Sequence, residues 1–95
     1  MNQSILFPDV QSWDETTQQI RFPAQCQGAL IECIVAVTVL EQLSGQQITG
    51  EETAVSIFSQ YRFDCEELAE QLIEDEAYNA LGQIDLVICH SISST

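Results

Sequence analysis

The sequence predicts an α+β fold, in which a small antiparallel sheet packs against a short helix and a long helix. Three stretches lead to this prediction: residues 17–37 alternate about a tight turn, residues 51–77 repeat apolar side chains at helical spacing, and residues 83–88 alternate again. A chain of 95 residues has the size of one domain. We therefore expect a single domain over residues 1–95, with residues 91–95 as a disordered tail.

The hairpin over residues 17–37 is expected to turn at Gln27 and Gly28, because glycine readily takes the positive φ that a two-residue turn needs. A turn at this place makes one face of the hairpin apolar throughout, pairing Cys26 with Ala29, Ala24 with Ile31, Phe22 with Cys33 and Ile20 with Val35. A shift of one residue would lose the match, so the register is specified. On the other face Arg21 lies diagonal to Glu32, and Pro23 predicts a strand edge because proline cannot donate to a ladder.

Two short motifs predict where helices begin. Thr38-Val39-Leu40-Glu41 has the pattern of a capping box, in which the threonine hydroxyl and the glutamate carboxylate accept hydrogen bonds from free backbone amides. We expect a short helix over residues 39–44 that ends at Gly45. Thr49-Gly50-Glu51-Glu52 repeats the pattern at the start of the long helix.

The long helix is expected over about residues 51–77, because its apolar positions recur every three or four residues: Ala54, Phe58, Tyr61, Cys65, Leu68 and Leu72. Asp64 could instead cap a fresh helix and place a kink near Arg62-Phe63-Asp64. A continuous helix is favoured, since the apolar positions keep their phase across that point. The residues from Asn79 to Gly82 should end the helix, and the alternation that follows predicts a C-terminal strand over about residues 83–88.

The order and spacing of several short motifs resemble a known family. These are Phe7-Pro8-Asp9, Ser12-Trp13-Asp14, Ile20-Arg21-Phe22 and Gly28 in the first half, then Arg62, Glu67-Leu68-Ala69-Glu70 and Gly82. Over about residues 3–88 the chain is similar to domain-of-unknown-function family 1488, which consists of small acidic bacterial proteins. The resemblance implies an α+β domain with an antiparallel sheet and helices. It implies no established activity, so no functional residues are transferred.

Charge is the strongest functional indicator in the sequence. Fifteen acidic residues stand against Arg21 and Arg62, which gives a net charge of −13. Such a surface repels phosphates and anionic lipids, so we expect no direct binding to nucleic acid and no binding to membranes. The N-terminus lacks the pattern of a secretory signal, and the apolar run over residues 29–40 is too short to span a bilayer. We therefore expect a cytoplasmic protein with a basic protein partner.

Nine of the fifteen acidic residues lie between Glu51 and Glu76. Six of them form the candidate interaction face, called the acidic face below: Glu66, Glu67, Glu70, Glu74, Asp75 and Glu76. On a helix, most of these side chains would lie on one surface. Four interpretations are open, namely a solvated face that keeps the protein soluble, a docking face for a basic protein, a mimic of the nucleic-acid backbone, and a divalent-cation site, against which the sequence has no D-x-D-x-D-G loop.

A continuous helix of residues 51–77 would be about 40 Å long and would extend beyond a core about 30 Å across. Its apolar residues would then lack a cover within the chain, as would two residues on the outer face of the hairpin. A homodimer would cover this candidate dimer surface, which consists of Cys65, Leu68, Leu72, Ile73, Leu30 and Ile34. The alternative is a kinked helix that wraps back onto the core.

We predict no enzyme, no cofactor and no metal site. The four cysteines form no C-x-x-C pair, the neighbours Cys89 and His90 would point to opposite faces of a strand, and the chain has no glycine-rich phosphate loop. The sequence thus favours a small interaction or regulatory module that binds a basic partner surface. The alternative function is a decoy that mimics nucleic acid and occupies a DNA- or RNA-binding protein.

Overall fold

The computed structural model of this chain describes residues 5–88. This part of the chain forms five strands and three helices in the order β1 (Ile5–Leu6), β2 (Ser12–Asp14), β3 (Gln19–Cys26), β4 (Ala29–Ala36), α1 (Val37–Ser44), α2 (Glu51–Gln60), α3 (Arg62–Glu74) and β5 (Ile84–Asp85). The predicted α+β class is confirmed. Cys89, His90 and the expected tail over residues 91–95 lie outside the described residues.

The sheet has the order β1-β3-β4-β5, and β2 pairs with β3 on the same side as β1. The expected all-antiparallel arrangement is corrected at β5, which runs parallel to β4. Three helices connect β4 to β5, and a strand that follows such a crossover can return in the direction of the strand it joins. The last strand is also shorter than the expected residues 83–88.

The hairpin is confirmed in every predicted pairing, from Cys26 with Ala29 to Ile20 with Val35. Gln27 and Gly28 both have positive φ, of 54° and 83°, as a type I′ turn requires. Pro23 lies in the interval between the residues of β3 that pair with β1 and those that pair with β2. That side of β3 is therefore interrupted at the proline, as expected.

The predicted capping boxes are wrong, although the end of α1 is confirmed. The N-cap of α1 is Ala36, and neither this cap nor Gly50 at the start of α2 has a side-chain hydrogen bond in the described structure. The Glu41 carboxylate instead accepts a hydrogen bond from the backbone N–H of Ile48 at 3.0 Å, which fixes the loop after α1. Gly45 ends α1 with a φ of 72°.

The expected continuous helix over residues 51–77 is wrong, because the chain bends at Tyr61 between α2 and α3. Tyr61 has φ −108° and ψ 22°, yet it still donates to the carbonyl of Ile57 and accepts from the amide of Cys65, both at 3.0 Å. The bend thus preserves the helical phase. With 10 and 13 residues, α2 and α3 are about 15 and 20 Å long, shorter than the least dimension, 25 Å, of the described fold.

The helices cover one face of the sheet, and the core lies between them. Phe22 of β3 and Phe58 of α2 are fully buried with ring centroids 5.3 Å apart, and Phe7 lies 6.2 Å from Phe22. Buried residues of every helix join this core, and those of α3 are Cys65, Ala69 and Ile73. None of the helices within residues 5–88 is both long enough and apolar enough to cross a bilayer.

Candidate interaction surface

Arg21 is used within the sheet. Its Nη2 donates to Oδ2 of Asp14 at 2.8 Å, and its Nε lies 3.7 Å from Oε2 of Glu32, so the predicted proximity of Arg21 and Glu32 is confirmed. The pKa of the Asp14 carboxyl is lowered, first by the hydrogen bond it accepts from the backbone N–H of Thr17 and also by the charge of Arg21.

Arg62 is used at the bend between α2 and α3. Its Nε donates to Oε2 of Glu66 at 2.9 Å, its Nη2 donates to the carbonyl of Pro8 at 2.8 Å, and its Nη1 donates to Oε1 of Gln11 at 2.9 Å. The guanidinium also lies 5.2 Å from the ring centroid of Phe58. Both arginines of the sequence are thus engaged within the chain, and the remaining carboxylates dominate the surface.

The acidic face lies on α3 and on the residues directly after it. Glu67, Glu70 and Glu74 are exposed on the helix, as are Asp75 at its C-cap and the following Glu76, whereas Glu66 is half-buried against Arg62. The predicted acidic residues are therefore brought onto one segment, with Glu66 partly neutralised by its ion pair.

The candidate dimer surface is not a continuous exposed stripe. Cys65, Ile73 and Ile34 are buried in the chain, and Leu68 and Leu72 are half-buried against the core. The bend at Tyr61 lets α3 lie back on the core, which covers the residues that a straight helix would leave outside. Leu30 is the member of that set with a large exposed fraction, 70%.

A groove lies between β1 and α3, which we call the β1–α3 groove. Ile5, Phe7 and Phe63 supply its apolar part and Glu66, Glu67 and Glu70 its carboxylates, around a volume of about 370 Å³. On α3, Phe63 precedes Glu67 by four residues and Glu70 by seven, so the three lie along one side of the helix. Phe63 is 83% exposed, the largest fraction among the exposed large hydrophobic residues of the described chain.

Sequence reasoning missed Phe63 as a site residue. A signal was available, because Phe63 is out of phase with the apolar positions of α2 and α3 and falls among charged neighbours. An aromatic side chain in that position lies outside the apolar face with which an amphipathic helix packs on the protein core. The contribution of Ile5 and Phe7 was not visible, since their proximity to α3 depends on long-range contacts such as the pairing of β1 with β3.

The chemistry of the groove suits a cation that carries some apolar surface. The face of an aromatic ring attracts ammonium and guanidinium groups, and neighbouring carboxylates accept charge-assisted hydrogen bonds from them. Arginine has both the planar apolar surface and the donors for such a place. The groove therefore combines, within one turn of helix, two independent means of holding a basic side chain.

Two of the described cysteines are unsuited to thiol or metal chemistry. Burial raises the pKa of both Cys33 and Cys65 to about 12, so each remains a neutral thiol rather than a nucleophile or metal ligand at neutral pH. Within residues 5–88, no group of three acidic, histidine or cysteine side chains is placed to hold a metal ion.

Comparisons with known proteins agree on one family. Residues 5–86 match the family model described as "Protein of unknown function (DUF1488)". Over 86 residues the chain is 35% identical to "Uncharacterized protein YrdB" of Escherichia coli K12 and 34% identical to the protein of that name from Shigella flexneri, and each match spans 88% of this chain and 96% of the relative. A crystal structure of a DUF1488 protein of unknown function from Shewanella loihica PV-4 is similar, with a TM-score of 0.85 and 46% identity over 90% of this chain and 94% of that one.

Proposed function

Since this chain belongs to the DUF1488 family, as its motifs predicted, we propose a function from its surface: a small, non-catalytic, cytoplasmic interaction module. In this proposal the β1–α3 groove and the acidic face bind a basic segment of a partner protein. The interaction regulates or positions that partner, and it involves neither direct contact with nucleic acid nor contact with a membrane.

The observation that supports this proposal most is the exposure of Phe63 beside three carboxylates. Burying a phenylalanine side chain is worth about 1.5–3 kcal/mol, so one that remains in water on a small domain favours a partner. A solvated face that served solubility alone would need the carboxylates and not the ring. The ring therefore favours docking over the solubility interpretation.

The charge of the whole surface supports the same partner class. With a net charge of −13 and both arginines engaged, the field around the protein attracts cationic surfaces and repels anionic ones. Such complementarity accelerates association and selects among partners, and its effect falls as salt rises. We therefore expect binding that is fast and strongly dependent on ionic strength.

Site-specific photo-crosslinking in bacterial cells tests the proposal. A photoreactive phenylalanine analogue replaces Phe63 in one variant and Leu81, which is 80% exposed but does not line the β1–α3 groove, in a matched control. We expect position 63 to crosslink to a protein through a peptide with net positive charge. The yield should fall when Glu67→Gln and Glu70→Gln are added, because these changes remove carboxylates of the groove.

Equal crosslinking from positions 63 and 81, or crosslinked peptides without net positive charge, would contradict the proposal. The decoy alternative is tested on the captured protein itself. A decoy's target must release this protein when its own DNA or RNA is added, whereas a partner that binds through a basic segment unrelated to nucleic acid must not.

The homodimer stays a prediction, with its support now limited to the outer face of the sheet. Leu30 and Leu6 are 70% and 62% exposed there, and both lie opposite Gln25 in the ladder. If a dimer forms through this face, the average molar mass from light scattering should increase with salt concentration, because salt screens the repulsion between like charges. Leu30→Ser should then return the protein to a monomer, and a mass that stays monomeric at all salt concentrations would remove the dimer from the proposal.

A further inference from the structure

We infer that the partner segment binds in an extended conformation, as a strand added to the side of β1 on which no described strand pairs, with every second side chain entering the β1–α3 groove. This inference rests on the proposed function and names the form of the ligand that the groove takes: an extended segment in which basic residues alternate with others.

The backbone of β1 is placed for such an addition. Within the described residues β1 stands at the end of the sheet order, beside β3. Cys26 and Ala29 flank the two-residue turn, so the backbone N–H and C=O of Cys26 point towards β4. The same groups of its neighbour Gln25 point to the other side, towards β1. Gln25 pairs with Leu6, which leaves the N–H and C=O of Ile5 directed away from β3.

The side chains of the same segment point into the groove. Ile5 lies opposite Cys26 and therefore shares the inner face of the sheet, and Phe7, two residues later, packs on Phe22 of that face. A strand beside β1 would direct alternate side chains to the same face. Those side chains would meet the side of α3 that holds Phe63 and the carboxylates of the groove.

The spacing of the groove side chains suits an added strand. Alternate side chains of a strand lie about 7 Å apart. That spacing is close to the rise of about 6 Å between Phe63 and Glu67 on α3, so successive inward side chains can meet the ring and then the carboxylates.

The test uses an eight-residue synthetic peptide in which arginine alternates with threonine, titrated against the full-length protein by fluorescence anisotropy. Two further peptides carry backbone N-methyl groups, one on all arginines and the other on all threonines. In an added strand the N–H groups of alternate residues face the host. We therefore expect one methylated peptide to bind at least tenfold more weakly than the parent, and the other to stay within about threefold.

Protein variants separate this inference from the proposed function. The double variant Glu67→Gln with Glu70→Gln should bind the parent peptide at least tenfold more weakly than the wild type does. The double variant Glu51→Gln with Glu52→Gln makes an equal charge change on α2 and should weaken this binding less than threefold. If the parent binds through Glu67 and Glu70 but both methylated peptides bind alike, strand addition is wrong and the docking function stands. If the parent fails to bind, or the two pairs of variants weaken it equally, both are wrong.

Discussion

Glu76 has a backbone conformation that glycine usually supplies. Its φ is 57°, its amide donates to the carbonyl of Ile73 at 3.0 Å, and the next amide, of Ala77, donates to the carbonyl of Leu72 at 2.9 Å. These two bonds are those of a Schellman motif, which ends α3 with a left-handed residue. A residue with a Cβ atom is strained in this conformation, so the backbone of Glu76, at the end of the acidic face, lowers the stability of the protein.

Glu76→Gly should therefore stabilise the protein. Glycine relieves the strain at positive φ but gains freedom in the unfolded chain, so we expect a net increase of about 0.5–1 kcal/mol in the free energy of unfolding. Glu76→Gln is the matched control, because it removes the same charge and keeps the strain. Urea denaturation of the two variants isolates the backbone effect, and equal stabilities would show that Glu76 is not strained.

The buried thiols Cys33 and Cys65 should make the protein sensitive to alkali. Each has a pKa raised from the ordinary 9.0 to about 12 in the folded chain, chiefly by burial. Between these values the unfolded state has lost the proton that the native state keeps, so each thiol lowers the stability as pH rises, by about 1.4 kcal/mol per pH unit. Below pH 9 neither contributes a slope.

Cys65→Ala tests this dependence. The variant is less stable at neutral pH because of the cavity it creates, but it lacks one of the two titrating thiols. The difference in unfolding free energy between the wild type and the variant should thus shrink by about 1.4 kcal/mol per pH unit above pH 9. A difference that stays constant from pH 8 to pH 10.5 would mean that the Cys65 thiol is not protected by burial.

At the scale of elements, Arg62 joins the loop after β1 to the two helices. Its guanidinium holds the Pro8 carbonyl and the Gln11 side chain on the loop, Glu66 on α3, and the ring of Phe58 on α2. Ile5 and Phe7 are also positioned by the pairing of β1 with β3 and by the contact of Phe7 with Phe22. The groove therefore depends on several long-range contacts rather than on local helix geometry alone.

Arg62→Met should lower the unfolding free energy by about 2 kcal/mol, because it leaves the half-buried Glu66 carboxylate and the Pro8 carbonyl without this donor. Arg62→Lys keeps the charge without the planar fork and should recover less than half of the loss. Urea denaturation measures both variants. Full recovery by lysine would show that charge alone, and not the arrangement of several donors, provides the stabilisation.

The elements differ in how far the sequence predicts them, and the reasons are physical. The hairpin was predicted in full register because a two-residue turn at Gln27-Gly28 and a strict alternation leave one pairing that buries the apolar face. The bend at Tyr61 agrees with the alternative of a kink near Arg62-Phe63-Asp64, which the sequence left open but did not favour, because apolar periodicity is the same for a straight helix and for two helices that keep their phase. The capping box at Thr38–Glu41 failed because Glu41 bonds to the loop at Ile48 instead of to its own helix, and the one at Thr49–Glu52 because the N-cap of α2 is Gly50, which has no side chain.

The same distinction applies to the interaction surface. The acidic face follows from helical spacing alone and lies where the sequence placed it, on α3 and the residues after it. The groove beside it requires β1 to lie against α3, a contact between residues about sixty positions apart. Local patterns contain no information about such a contact. Most of the candidate dimer surface is covered for a different reason, because the bend at Tyr61 lets α3 lie on the core.

The whole molecule combines two properties, a strongly anionic surface and a groove between β1 and α3. The anionic surface provides long-range attraction without much selectivity, whereas the groove combines an exposed aromatic ring with carboxylates. In the function that we propose, the protein works by contact with another protein. We expect its specificity to depend on Phe63 and its neighbours more than on total charge.

The most direct test of this claim is a titration of the isotopically labelled protein with the alternating arginine–threonine peptide, followed through the backbone amide signals in two-dimensional NMR spectra. We expect the largest shift changes at residues 5–7 and 63–70, with Phe63→Ser reducing them while Leu81→Ser does not. Changes spread evenly over the acidic surface, including Glu15, Glu51 and Glu52, would contradict the account, because they would mean that the peptide follows charge alone and the groove selects nothing.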